Sequence, residues 1–268
     1  ILTIGISHGS LDNVKGRKLF KIFGVNNFFI FYLSYIFISV IVIILWVIIP
    51  SVSLIIFLIV ASYHFGKEDT QFLIIENSYY NQSLFFLKGS LIIFAPMYFN
   101  FDETISIFKL LLIDNESFYE FLNLLETNKI LFYGIIISTI SSILLFSKNF
   151  ELKKFTIFFD YFSILIINYY FSPLVAFTIY FCFLHSIRHS ISLMSELDKN
   201  DLSNGLKIFT KKALPLTILT ATFCFLGLYL LNNTYNFDSS ILKIIFIGLA
   251  SLTFPHILLE YLIEKNEK

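Results

Sequence analysis

Five histidines hold most of the chemistry this chain can do: His8 in SHGSLD, His64 in YHFGKED, His185 and His189 in HSIRHS, and His256 in PHILLE. Each lies within, or at the end of, a strongly apolar segment, and the polar connecting stretches contain none. A polar ring in an apolar setting is costly unless a partner satisfies it. Five such rings in one chain point to a shared partner, and a metal ion is the simplest.

The spacing of these residues narrows the chemistry. His185 and His189 are four apart, so on a helix they stack on one face, one turn from each other. Two imidazoles so placed can reach one ion, as in the zincin helix, but the glutamate that flanks that motif is missing, which disfavours a metalloprotease. His8 is followed by Gly9 and Asp12, and His64 by Gly66, Glu68 and Asp69. A metal-bound histidine usually donates its second N–H to a carboxylate or carbonyl, which makes Asp12 and Asp69 candidates for that role. The bland alternative is a pair of helix-end charges facing water. The glycines permit close helix packing around a crowded site. His256 follows Pro255 and precedes Glu260 by one turn; it is a further candidate ligand, or else an orienting or pocket residue. Neutral imidazole ligands suit zinc, copper or iron, and the residues alone do not choose among them. Cys182 and Cys224 sit in apolar runs without a CxxC pattern and read as small buried residues rather than a disulfide.

The elements that must position these side chains follow from composition. Of 268 residues, 57% are hydrophobic and 14% charged, with a mean hydropathy of +0.79. A soluble domain carries about 25% charged residues. The chain therefore reads as an all-α polytopic transmembrane helical bundle, a single integral-membrane domain over 1–268. Its net charge of zero gives no electrostatic footprint for nucleic acid. Candidate spans are 1–13, 28–49, 51–66, 84–99, 130–147, 155–172, 173–194, 212–231 and 240–263, so eight or nine helices are expected. Pro50 and Pro173 separate adjacent spans, as proline does where a helix ends. The sequence starts at Ile1 inside an apolar stretch, so the first helix is expected to be truncated at its N-terminus, with no cleavable signal peptide.

Loop charge sets the orientation. The segment after the first span carries Lys15, Arg17, Lys18 and Lys21, and the one near 148–154 carries Lys148, Lys153 and Lys154. The stretch 100–129 is acidic, and 232–239 holds only Asp238. By the positive-inside rule the basic set is cytoplasmic, the acidic 67–83 loop being a mild exception. All five histidines then fall within about two helical turns of the cytoplasmic face. One shared depth, drawn from four helices, favours a single metal site near that face of an inner (plasma) membrane.

The blocks SHGSLD, SYHFGKED, HSIRHS and PHILLE, in that order, resemble the Brp/Blh family, whose pattern runs HG-x-x-D, HFG with a following Asp, H-x-x-R-H and a late PH. These are membrane-embedded β-carotene 15,15′-dioxygenases of microbes that make retinal for rhodopsins. The resemblance covers nearly the whole chain and implies a non-haem Fe(2+) held by His8, His64, His185 and His189. It implies β-carotene and O2 as substrates, reached from membrane lipid, and two molecules of retinal as product, passed on to a microbial rhodopsin. No external reductant is required if both oxygen atoms end in the two aldehydes.

The residues alone reach only a membrane metalloprotein with a site near the cytoplasmic face. A membrane di-iron desaturase needs more histidines than five. A bis-histidine haem cytochrome could use some of these rings, and a transporter would show polar residues at midplane and broken helices.

Overall fold

In lipid no water is available to hydrogen-bond the backbone, so even Ile- and Val-rich runs close their bonds within helices. The computed structural model describes residues 9, 11–74, 78–148 and 150–266, and among these it contains helices and no strand. His8 lies outside the described residues.

The helices are α1 (Asp12–Ile22), α2 (Phe29–Ile48), α3 (Pro50–Glu68), α4 (Tyr79–Gly89), α5 (Leu91–Phe99), α6 (Phe101–Leu110), α7 (Glu116–Thr127), α8 (Ile130–Ser147), α9 (Phe155–Tyr170), α10 (Pro173–Ile179), α11 (Ile187–Leu197), α12 (Leu202–Leu231) and α13 (Phe237–Asn266). A π-helical turn, Tyr180–Ser186, joins α10 to α11. Pro50 and Pro173 each open a helix, where a missing N–H leaves no bond unmade. Polar side chains start others: Ser78 Oγ accepts from Asn81 N at 3.2 Å, Asn115 Oδ1 from Phe118 N at 3.0 Å, and Asp201 Oδ1 from Ser203 N at 2.8 Å.

Seven helices among the described residues are long and apolar enough to cross a membrane: 29–48, 50–68, 79–99, 130–147, 173–197, 202–231 and 237–266. The chain is thus an all-helical membrane protein, with fewer such helices than the eight or nine expected. The expected span 155–172 is realised as α9, which has only 16 residues. At 1.5 Å per residue that is about 24 Å, short of a hydrocarbon core. The expected span 1–13 falls almost wholly outside the described residues. Two stretches read as loops are helical. The basic segment after residue 12 forms α1, which buries Asp12, Gly16 and Leu19. The acidic stretch 100–129 holds α6 and α7, which bury Phe101, Phe108, Phe118 and Leu122. Charge density alone marks both as loops, yet each helix buries one face, and α1 turns its basic residues Arg17, Lys18 and Lys21 outward.

The chain forms two compact units, residues 1–53 with 186–268, and residues 54–185. In the first, α13 packs on α1, α2 and α12, and α11 packs on α12. Leu19, Phe31 and Leu259 form one core there, and Leu11, Leu193, Phe209 and Ala213 another. The most apolar stretch of α12 buries no residue, as a lipid-facing surface requires.

In the second unit, α4 and α5 pack on α8, and α5 and α8 on α9. Its core is Leu73, Ile74, Leu84, Phe85, Leu145 and Ile157. Helices α3 and α4 touch backbone to backbone. A Cβ on Gly66 would lie 1.8 Å from the Phe85 carbonyl oxygen, and one on Gly89 would lie 1.9 Å from that of Ser62. Small residues permit this approach.

Candidate metal centre

In the unit of residues 54–185, the end of α3 and the π turn converge. His64 is on the last turn but one of α3, and Asp69 directly follows that helix. Tyr180 and His185 come from the π turn. All four are buried, His185 being 1% exposed and Asp69 3%. His185 Nδ1 lies 3.0 Å from Asp69 Oδ1, and the Tyr180 hydroxyl donates to Asp69 Oδ2 at 2.6 Å. A carboxylate only accepts, so Nδ1 of His185 carries the hydrogen of this bond, and Nε2 is the nitrogen on the far side of the ring from Asp69.

The π turn makes this possible. Residues five apart on an α-helix sit about 140° apart around the axis. The wider π turn brings Tyr180 and His185 closer to one face, where their rings stack at 6.1 Å and both reach one carboxylate. Aromatic rings complete the wall. Phe65 meets His185 edge-on at 4.7 Å, Phe181 stacks on it at 6.0 Å, and His64 approaches it at 5.4 Å. A cavity of about 10 Å³ beside Asp69, with Lys88, Ser142 and Tyr161 in its lining, has room for a single water.

The unit of residues 1–53 and 186–268 repeats the motif. Asp12 opens α1, Tyr35 stands on α2, and His256 on α13. His256 Nδ1 lies 2.9 Å from both oxygens of Asp12, and the Tyr35 hydroxyl donates to Asp12 Oδ2 at 2.8 Å. Asp12 and His256 are buried at 4% and 3% exposure. As at Asp69, the carboxylate accepts a hydrogen bond from Nδ1–H and so fixes the plane of the ring. His189, on α11, brings its ring to 6.2 Å from that of His256. On α13, Glu260 Oε1 stands 3.6 Å from His256 Nε2 and accepts from Lys15 Nζ at 2.7 Å.

Each unit thus brings together a tyrosine, an aspartate and a histidine, with a second histidine ring nearby. Sequence proximity linked Asp69 to His64 and Asp12 to His8. The hydrogen bonds reach His185, 116 residues beyond Asp69, and His256, 244 residues beyond Asp12. Tyr35 and Tyr180 escaped the sequence reading because they look like two of 15 tyrosines in apolar runs. A buried phenol needs a partner for its hydroxyl, and that is the one signal that marks them. Glu260 was noted only for its spacing.

The donor set fits a borderline divalent metal. Buried imidazoles with Nδ1 held by a carboxylate present Nε2 in the manner of carboxylate–histidine–metal triads.

A family model described as Beta-carotene 15,15′-dioxygenase matches residues 1–264. A curated protein named Beta-carotene 15,15′-dioxygenase, from Uncultured marine bacterium 66A03, is 26% identical over 274 residues, covering 97% of this chain and 90% of that protein. No solved structure matches the chain.

Proposed function

Because the chain belongs to the β-carotene 15,15′-dioxygenase family, we propose that it cleaves the central double bond of β-carotene with O2 to give two molecules of retinal. The 15,15′ bond breaks, each of its carbons takes one oxygen atom, and one O2 supplies both. No reductant enters the balance. The observation that carries this reading is the family match over residues 1–264, which takes in all four histidine blocks.

The proposed iron ligands are His8, His64, His185 and His189, with His256 as a further candidate. Bound ferrous iron supplies the redox partner that lets ground-state O2 react with a closed-shell polyene. The chain's own residues do the rest. Asp69 and Asp12 fix the tautomer and the ring plane of His185 and His256, and Tyr180 and Tyr35 hold those carboxylates in turn. Burial of this machinery keeps water from a reactive site. The phenylalanines around His185 supply apolar walls suited to a hydrocarbon substrate.

The same reading treats residues 1–268 as one integral-membrane domain in an inner (plasma) membrane, with the metal site toward the cytoplasm. The basic segments at 15–21 and 148–154 support that orientation. Both substrates would arrive through lipid, and retinal would pass to a microbial rhodopsin. The test is expression in β-carotene-producing cells with product analysis. Retinal is expected from the native chain, and neither retinal nor protein-bound iron from His64→Ala or His185→Ala. Normal carotene bleaching by either variant would sink the assignment.

A further inference from the structure

We propose that Glu260 is a metal ligand beside His256, adding a carboxylate to a site read until now as all imidazole. The inference rests on the iron reading above and deepens it.

Three observations within one unit lead there. First, Asp12 holds Nδ1 of His256, which fixes the ring plane and turns Nε2 away from that carboxylate. Second, that Nε2 faces Glu260 Oε1 at 3.6 Å. This is too long for a hydrogen bond. Two donor atoms each about 2.1 Å from one ion and this far apart subtend roughly 120° at it, an ordinary ligand angle. Third, His189 approaches the same histidine, its ring 6.2 Å away. Imidazole and carboxylate are both donor types that non-haem iron(II) oxygenases use.

The position of Glu260 is well defined. It lies four residues after His256, so both side chains leave one face of α13. Lys15 on α1 grips the carboxylate at 2.7 Å and limits its rotamers. A carboxylate also offsets part of a divalent charge where the surroundings are apolar, which neutral imidazoles do not. The competing role for Glu260 is a plain ion pair joining α1 to α13, and the two roles differ in what Lys15 should do.

The experiment uses the full-length protein in detergent, stripped of metal, with Fe(II) affinity measured by chelator competition and Co(II) as a spectroscopic probe. If Glu260 is a ligand, Glu260→Gln weakens Fe(II) binding at least ~10-fold and alters the Co(II) ligand-field spectrum. Glu260→Asp recovers part of the affinity. Lys15→Met keeps it within ~3-fold, since an ammonium group cannot itself ligate a metal. Native affinity in Glu260→Gln, or an equal loss in Lys15→Met, overturns the proposal. Should His64→Ala lose iron while Glu260→Gln binds it normally, the iron reading stands and Glu260 alone is removed. A native protein that binds no iron overturns both.

Discussion

The Tyr180 hydroxyl donates to Asp69 Oδ2 at 2.6 Å, while Asp69 Oδ1 is engaged by His185 at 3.0 Å. The phenol is one of the hydrogen bonds that hold the carboxylate in this orientation, so removing it weakens that hold. Tyr180→Phe is expected to weaken metal binding about 10–100-fold, the usual effect of losing an outer partner of a ligand. Tyr35→Phe should do less, because His256 Nδ1 already lies 2.9 Å from both oxygens of Asp12. Chelator competition on the two variants, with helix content checked by circular dichroism, tests the order. A larger loss in Tyr35→Phe would contradict it.

Asp12→Asn is expected to lower retinal formation far more than Glu126→Gln. Asparagine can turn its amide N–H₂ toward His256 and so spoil the tautomer that Asp12 enforces. Glu126, by contrast, lies exposed near the end of α7. Retinal yield per unit of membrane-inserted protein distinguishes them, and equal yields would reduce Asp12 to a helix-end charge.

The glycines separate packing from propensity. Gly66→Ala drives a methyl to 1.8 Å from the Phe85 carbonyl oxygen, and backbone cannot step aside as a side chain can. A loss of about 1–3 kcal/mol or more is expected. Gly248→Ala meets nothing within 4 Å on α13 and should gain about 0.5–1 kcal/mol from lower backbone entropy in the unfolded chain. Thermal or denaturant unfolding in one detergent compares the pair.

Between α11 and α12, Asp198 accepts from Asn204 Nδ2 at 2.8 Å and from the backbone N–H groups of Asn200 and Asp201. These bonds, the Asn204 one foremost, hold its carboxyl below the usual range. A depressed carboxylate contributes stability that is complete above its unfolded value, about 4, and is lost as pH falls through the lower folded value. The difference in unfolding midpoint between the native protein and Asp198→Ala should therefore be flat from neutral pH to about pH 5. It should shrink only in stronger acid. A difference that fades already between pH 7 and 5 would assign it to another group.

Much of this protein is legible in its order of residues. Apolar runs such as 28–49 and 212–231 read as membrane helices, since lipid leaves the backbone no partner but itself. The histidine blocks point to a shared partner because buried rings need one. Span number is less legible, as α9 shows: 155–172 is mostly apolar, but it carries Asp160 and Asn168, and the helix ends at Tyr170 and is short. The tertiary structure alone decided which carboxylate serves which histidine. Sequence spacing favours the partner one turn away, whereas a hydrogen bond is set by where helices cross, and Asp12 meets His256 because α1 packs on α13. The π turn that aligns Tyr180 with His185, and the reciprocal glycine that lets α4 press against α3, are likewise products of packing. No local periodicity encodes them, because each depends on a surface contributed by a different segment of the chain.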